Sequence, residues 1–394
     1  MLYKFEDNKY EKIAIYGHSG SQNHGNEAIV RGLHELFPDT HYEIFTFSYS
    51  ELKDKLFKLD EIGELKIFCK PVSKNFINKL LIKNKNIKYK QFFKPFLKSI
   101  DKDTVYCLEA GDQYCEPGEV REWYKYVNKK IREKGAHSVM LGCSITKDVI
   151  NTKEVMEDLK MYSAVIARET LTYNLLSEAG INAYLAPCPA FCMPAKKCLL
   201  PACFDSHEVI GFNIGFLQQG NEKYIDMLRK NYENAIRFII DKTNYNVLLI
   251  PHVNWNYKNS DFRELEKLYA KYKNTNRVFI LEEKGAPEAK YILSKLKALV
   301  AVRTHVQIPA LASYIPTIIA GYKHKSFGIS NDIYGENSPY LAHVQSLSDQ
   351  HSIKTKLEYL LNNYNEVKTY LKNTIPNYIS KTEDIKNILE NLNK

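Results

Sequence analysis

Arg303, Thr304 and His305 stand directly after the apolar run Ala298–Val302 and before an apolar segment that begins at Val306. Arginine offers a planar fork to a carboxylate or phosphate, and histidine titrates near neutral pH, so the pair suits an anionic substrate that undergoes proton transfer. A structural arginine beside a satisfied histidine is the other reading of the same three residues. More cations occupy comparable places. Lys325, with Tyr322 and Gly328, follows the run Thr317–Ala320, and Arg168, with Glu169 after it, follows Ala164–Ile166. Two arginines and a lysine converging on one anion would fit a phosphorylated acid. His252 follows Pro251 at the end of another apolar run and is read as a supporting residue, since a lone histidine is more often structural. The segment GHSGSQNHGNE, Gly17–Glu27, leads from an apolar run into a helical pattern, where free backbone NH groups can receive an anion or a sugar hydroxyl. Its glycines at 17, 20 and 25 lack GxGxxG spacing, and no GK[ST] follows, so neither a dinucleotide fingerprint nor a P-loop is present.

Strand ends matter because ligands of open parallel sheets gather outside the carboxyl ends of the strands. Short apolar runs at Lys12–Tyr16, Tyr42–Phe47, Thr104–Leu108, Ser138–Leu141 and Ala164–Ile166 predict strands. Helical patterns such as Trp123–Lys134 and Thr170–Ala179, the latter stopping at Gly180, lie between several of them. Prolines at 189, 194 and 201 interrupt the periodicity. A second series then begins, with strands at Val209–Ile214, Asn246–Ile250, Arg277–Leu281, Ala298–Val302 and Thr317–Ala320, separated by helices at Glu222–Thr243, Phe262–Lys273 and Ala286–Lys295. The expected fold is α/β: two doubly wound domains facing a cleft, residues 1–200 and 201–394, with a helical C-terminal tail from about 352 that packs across one domain or bridges both.

At 394 residues the chain is long enough for two full cores, and 44% hydrophobic with 26% charged residues describes a globular protein. Eight cysteines show no CxxC pair; buried reduced thiols are expected, and no metal site. The first residues carry acids and no apolar h-region, and no uncharged stretch is long enough to span a bilayer, which places the protein in the cytoplasm. The formal charge is +9, and Lys66 to Lys98 contains ten lysines and no acid. Lysines alternating with apolar residues there suit contact with an anionic membrane at its inner face, or a solvated helical face; no motif accompanies the charge that would support nucleic acid.

The ordered set Asn23-His24-Gly25-Asn26-Glu27-Ala28, Gly142-Cys143-Ser144-Ile145, Ile166-Ala167-Arg168-Glu169, Pro187-Cys188-Pro189-Ala190-Phe191, Ile250-Pro251-His252, Arg303-Thr304-His305 and Pro316-Thr317 through Lys325 and Gly328 resembles the polysaccharide pyruvyl transferase family. Such enzymes add pyruvate from phosphoenolpyruvate to sugar hydroxyls as a cyclic ketal. Asn26 and Cys188 stand where family members often have Asp, and Glu109-Ala110-Gly111-Asp112 where a Gly-Gly-Gly strand end is common.

The resemblance implies a GT-B-like pair of Rossmann-like domains and phosphoenolpyruvate as co-substrate with no cofactor. It also implies a sugar acceptor, read here as a lipid-linked precursor of a cell-surface polysaccharide. His305 is then the expected acid toward C3 of the donor, with Arg168, Arg303, Lys325, Tyr322 and Gly328 around its anionic groups. Asn23, Gly25, Glu27, Asp112 and His252 fall to the acceptor, with the N-terminal domain as acceptor side and the C-terminal domain as donor side. A GT-B glycosyltransferase using a nucleotide sugar, and a carbohydrate-binding relative without activity, are the competing readings.

Overall fold

A computed structural model of the chain describes residues 12–70, 84–114, 119–215, 222–255, 260–321, 324–347 and 349–392. Tyr322, assigned to the donor on sequence grounds, and residues 71–83 of the lysine-rich stretch lie outside the described residues.

The chain divides into two compact units. One comprises Met1–Ser21, Leu33–Pro189 and Lys381–Lys394; the other comprises Gln22–Gly32 and Ala190–Ser380. Sequence reasoning placed one boundary in the proline-interrupted stretch 188–206, written as 200. The main change falls at 189, within that stretch, and two segments cross over: the loop and helix start at 22–32 are counted with the second unit and the last helix, Asp384–Asn391, with the first.

In the first unit seven parallel strands run β1 (Lys12–His18), β2 (His41–Thr46), β3 (Glu64–Ile67), β4 (Thr104–Glu109), β5 (His137–Cys143), β6 (Ala164–Ala167) and β7 (Ala183–Leu185), in the spatial order β3-β2-β1-β4-β5-β6-β7. In the second, β8 (Val209–Asn213), β9 (Asn246–Leu249), β10 (Val278–Ile280), β11 (Ala298–Ala301), β12 (Thr317–Gly321) and β13 (Leu341–His343) are ordered β10-β9-β8-β11-β12-β13. Both orders reverse beside their first strand, at β1/β4 and β8/β11, which makes those two positions the switch points where α/β sheets bind ligands. The doubly wound class expected from the sequence is thus present twice, and helices Ser352–Asn362, Tyr364–Ser380 and Asp384–Asn391 form the C-terminal helical segment.

Alternation along the second sheet shows why these runs become strands. Ile210, Phe212, Val247, Leu249, Val300 and Ile318 enter the core on one face, while Val209, Leu248, Leu299 and Ala301 enter a separate cluster on the other. Both faces are dry, so successive residues can all be apolar, as covered parallel sheets require. The first core is rich in aromatics, with Phe45 edge-on to Phe96 at 4.7 Å and Phe68 tilted against Phe93 at 5.0 Å.

β3, β7 and β13 were not anticipated. Each lies at a sheet edge and has only four, three and three residues, respectively. Such strands bury little side-chain surface and carry little pattern.

Candidate active site

The second unit gathers polar residues at the β8/β11 switch point. Arg303 follows β11 in extended conformation as the N-cap of helix Thr304–Ala312, whose residues Val306, Ile308, Ala310 and Leu311 are buried. His305 therefore stands in the first turn, where amides lack intrahelical partners and the dipole is positive. The Arg303 guanidinium donates from Nε (3.2 Å) and Nη2 (2.7 Å) to Asp261 Oδ1. Its backbone NH donates to Asn213 Oδ1 at the end of β8 (2.9 Å). Asp261 Oδ2 accepts from the backbone NH groups of His252 and Val253, each at 3.1 Å. Asp261 and Asn213 are both fully buried. One carboxylate thus ties the β11 end to the β9 end.

The glycine-rich segment counted with this unit is woven onto that β9 end. Asn23 pairs with Val253 in an antiparallel bridge, the His24 NH donates to the His252 carbonyl (3.3 Å), and the Asn254 NH donates to the Gln22 carbonyl (2.7 Å). Asn23 also braces its own turn, its Oδ1 accepting from the Gly25 NH (3.1 Å). Three imidazoles meet as a result: His24 lies edge-on to His252 at 5.7 Å, and His252 parallel to His305 at 6.4 Å. Gly25 makes this approach possible, since a Cβ there would fall 2.4 Å from His305 Nδ1. Burial, followed by the fields of His24, His305, Arg303 and Lys325, holds His252 well below the ordinary histidine range. His252 is a neutral imidazole at physiological pH, and its buried Nε2 has no hydrogen-bond partner among the described residues.

Lys325 lies in the first turn of helix His324–Tyr334, after β12. Gly328 is buried in the second turn of the same helix, so its amide belongs to the helical ladder rather than to a loop. Glu27 is fully buried; it accepts from the Ala286 NH at the start of helix Ala286–Leu293 (2.9 Å) and from Arg31 Nε (2.9 Å). Its carboxylate holds two elements together beside the histidines. Asn23, Gly25, Glu27 and His252 therefore share one unit with Arg303, His305 and Lys325, where the sequence reading had put Asn23, Gly25 and Glu27 in the other domain.

Arg168 and Asp112 belong to the first unit and meet there. Arg168 is almost fully buried after β6, donating from Nη2 to Asp112 Oδ1 (2.6 Å) and from Nε to Ser144 Oγ (2.8 Å). At the β1/β4 switch point, His18 lies fully buried between Glu109 Oε2 (2.8 Å) and Asp54 Oδ1 (3.2 Å). Burial alone would lower the His18 pKa, but the Glu109 carboxylate and the Asp54 hydrogen bond outweigh it and raise the pKa to about 10. A group protonated in the folded state and neutral in the unfolded one stabilises fully below the unfolded pKa, near 6.5, and loses that contribution as pH rises through about 10. Thermal or urea unfolding should therefore show a stability decline of up to about 1.4 kcal/mol per pH unit across that window from this group. His18→Gln should flatten that component while costing about 3–5 kcal/mol at neutral pH, because two buried carboxylates lose their cation. An unchanged alkaline slope in the variant would remove His18 from the account.

Asn213 and Asp261 were missed by sequence reasoning, as was Gly215, where a Cβ would fall 2.6 Å from Arg303 Nε, and His24 was seen only as part of a loop. An asparagine and a glycine closing the run VIGFNIG carried a faint signal. Asp261 stands just before helix Phe262–Tyr272, where an aspartate reads as a cap, yet its side chain makes no cap bond and turns to Arg303 instead. The seven described cysteines, at 69, 107, 143, 188, 192, 198 and 203, are free thiols.

Two sheets of this strand order, one with Arg303 and three histidines gathered at its switch point and Lys325 after the neighbouring strand, place the chain in the two-domain α/β GT-B fold class. Residues 23–324 match the model of the polysaccharide pyruvyl transferase family, and the chain belongs to that family. No curated protein matches it by sequence. Solved structures resemble it in fold. The UDP-GlcNAc 2-epimerase of Neisseria meningitidis bound to UDP-GlcNAc is 14% identical, with 96% of this chain and 100% of that chain covered at a TM-score of 0.61. A glycosyltransferase of Rickettsia africae ESF-5 is 13% identical, with 98% and 100% covered at 0.54. UGT73P12 of Glycyrrhiza uralensis, complexed with glycyrrhetinic acid 3-O-monoglucuronide, is 10% identical, with 97% and 96% covered at 0.61.

Proposed function

We propose that the protein transfers pyruvate from phosphoenolpyruvate to two hydroxyls of a sugar in a cell-surface polysaccharide precursor, closing a cyclic ketal and releasing phosphate. The observation that carries this reading is the convergence of Arg303, His305, His252 and His24 at one switch point, with Lys325 in electrostatic reach of His252. Phosphoenolpyruvate brings a carboxylate and a phosphate, and Arg303 and Lys325 supply cations to both; fixed charges of this kind commonly provide the largest catalytic contribution. His305 protonates C3, C2 becomes oxocarbenium-like, and the first sugar hydroxyl adds there. Phosphate leaves with its bonding electron pair, and the second hydroxyl closes on C2. C3 gains one proton and the hydroxyls lose two, so the balance departs with the phosphate. His252, held neutral, is suited to accept a hydroxyl proton. The chemistry calls for no cofactor. The acceptor is read as lipid-linked, which would bring the protein to the inner face of a membrane.

Phosphoenolpyruvate should raise the melting temperature of the wild-type protein and fail to do so for Arg303→Ala. In Gly215→Ala the new Cβ would fall 2.6 Å from Arg303 Nε, pushing the guanidinium aside with Asp261 intact. The KM for phosphoenolpyruvate should then rise by roughly 10–100-fold. Stabilisation by a UDP-sugar and not by phosphoenolpyruvate would favour glycosyl transfer, and indifference to both with sugar binding intact would favour a non-catalytic relative.

A further inference from the structure

Thr304 Oγ1, Ser326 Oγ and Ser330 Oγ are buried in the second unit, like His252 Nε2 without a hydrogen-bond partner among the described residues. Thr304 opens the helix that follows β11, and Ser326 and Ser330 lie one turn apart on the helix that follows β12. A serine inside a helix ordinarily returns its hydroxyl to a carbonyl one turn back, and neither of these does. Hydroxyls stripped of water and given nothing in exchange weaken a fold. Their gathering after neighbouring strands marks where a polar ligand replaces the missing partners.

Ser326 is the best placed of them. It is the third residue of helix His324–Tyr334, and helical Cβ atoms tilt toward the amino end, so its hydroxyl leans toward first-turn amides that lack intrahelical partners. Gly321, which closes β12, lets the helix start lie against the strand end: a Cβ there would stand 3.1 Å from Ser326 Cβ and 2.9 Å from Phe327 Cε1. Lys325 shares that turn, no acidic residue does, and the helix dipole adds to the positive field. Arg303, by contrast, shares its charge with the buried Asp261 carboxylate. His252 feels the fields of both cations, so the two anion seats belong to one centre. A donor with two unequal anionic groups is sorted by this difference. The doubly charged phosphate suits the helix end, and the singly charged, planar carboxylate suits the Arg303 fork.

We propose that the phosphate of the donor binds at the amino end of helix His324–Tyr334, with Ser326 Oγ donating to a phosphate oxygen, while Thr304 Oγ1 donates to the carboxylate held by Arg303. The assignment rests on phosphoenolpyruvate being the donor; its phosphate half is read without turnover. Titration calorimetry of the full chain with inorganic phosphate, pyruvate and phosphoenolpyruvate separates the two halves. Wild-type protein should bind inorganic phosphate in competition with phosphoenolpyruvate. Ser326→Ala should weaken inorganic phosphate and phosphoenolpyruvate by about tenfold each and leave pyruvate unchanged, as expected for the loss of one hydrogen bond to a charged group. Thr304→Val should do the reverse, weakening pyruvate and phosphoenolpyruvate by about tenfold and sparing inorganic phosphate. Each change removes a hydroxyl that has no partner in the fold, so the ligand-free melting temperature should stay at or above the wild-type value. Wild-type protein indifferent to inorganic phosphate, or Ser326→Ala protein that binds it undiminished, would overturn the proposal. An equal loss of pyruvate in Ser326→Ala, or a lower ligand-free melting temperature, would make the serine structural and overturn it as well. If inorganic phosphate binds through Ser326 and only UDP-sugars compete with it, the phosphate seat stands and the donor reading fails. Undiminished phosphate binding in Ser326→Ala, beside intact phosphate release from phosphoenolpyruvate in wild type, would be the opposite result.

Discussion

Replacing His305 with alanine is expected to lower the turnover of phosphoenolpyruvate by about 10²–10⁴-fold, the usual contribution of a positioned general acid. Donor affinity should change far less, because Arg303 and Lys325 remain. The measurement is steady-state phosphate release, paired with donor-induced thermal stabilisation in the same variant. Gly25→Ala offers an independent route to the same loss. Its Cβ would fall 2.4 Å from His305 Nδ1 and 2.6 Å from Cγ, so the imidazole must leave its place beside His252 while all three histidines are retained. Turnover should fall by roughly 10²-fold, as expected for a catalytic group displaced by about 1 Å. Full turnover in both variants would refute His305 as the acid; full turnover in Gly25→Ala alone would show that the ring acts from a second position.

Asp261→Asn is expected to have a large effect on both stability and donor binding. Its two oxygens receive Arg303 on one side and the backbone NH groups of His252 and Val253 on the other, in a fully buried setting. An asparagine presents an NH2 to one of these donor sets, so Arg303 or the β9 end is left facing a donor. Unfolding free energy should fall by about 3–5 kcal/mol, and the melting temperature by on the order of 10 °C. Donor-induced stabilisation should disappear with it, because the guanidinium is no longer held. Combining Asp261→Asn with Arg303→Ala should cost less than the sum of the single changes, since the second removes the cation stranded by the first. Strict additivity would argue against this coupling.

Much of the scaffold could be read from residue order. Ten strands were anticipated, the nine interior ones and the edge strand β10, because each lies in a short apolar run closed by a polar or glycine-containing segment, a pattern that covering a parallel sheet on both faces imposes on the interior strands. The same reading placed Arg303, His305, His252 and Lys325 at carboxyl strand ends, since a residue just past a strand of known direction has nowhere else to go. What escaped it depended on partners distant in the chain. Asp261 resembles a helix cap until the β11 end, 42 residues later, claims its carboxylate. Glu27 resembles a loop acid beside a substrate until Ala286, 259 residues away, takes its oxygen. Gly25 resembles a flexible turn until the His305 ring fills the space a side chain would need.

Local periodicity by itself determined the strand and helix series, the doubly wound class and the cationic, imidazole-bearing character of the strand ends, because those depend on burial and turn chemistry within a few residues. Tertiary structure alone decided that residues 22–32 join the second unit and bring His24 and Gly25 to His252 and His305. It alone decided, too, that Arg168 and Asp112 neutralise one another in the first unit. Those outcomes turn on which buried polar groups find each other across long stretches of chain, and spacing in a sequence carries no record of that.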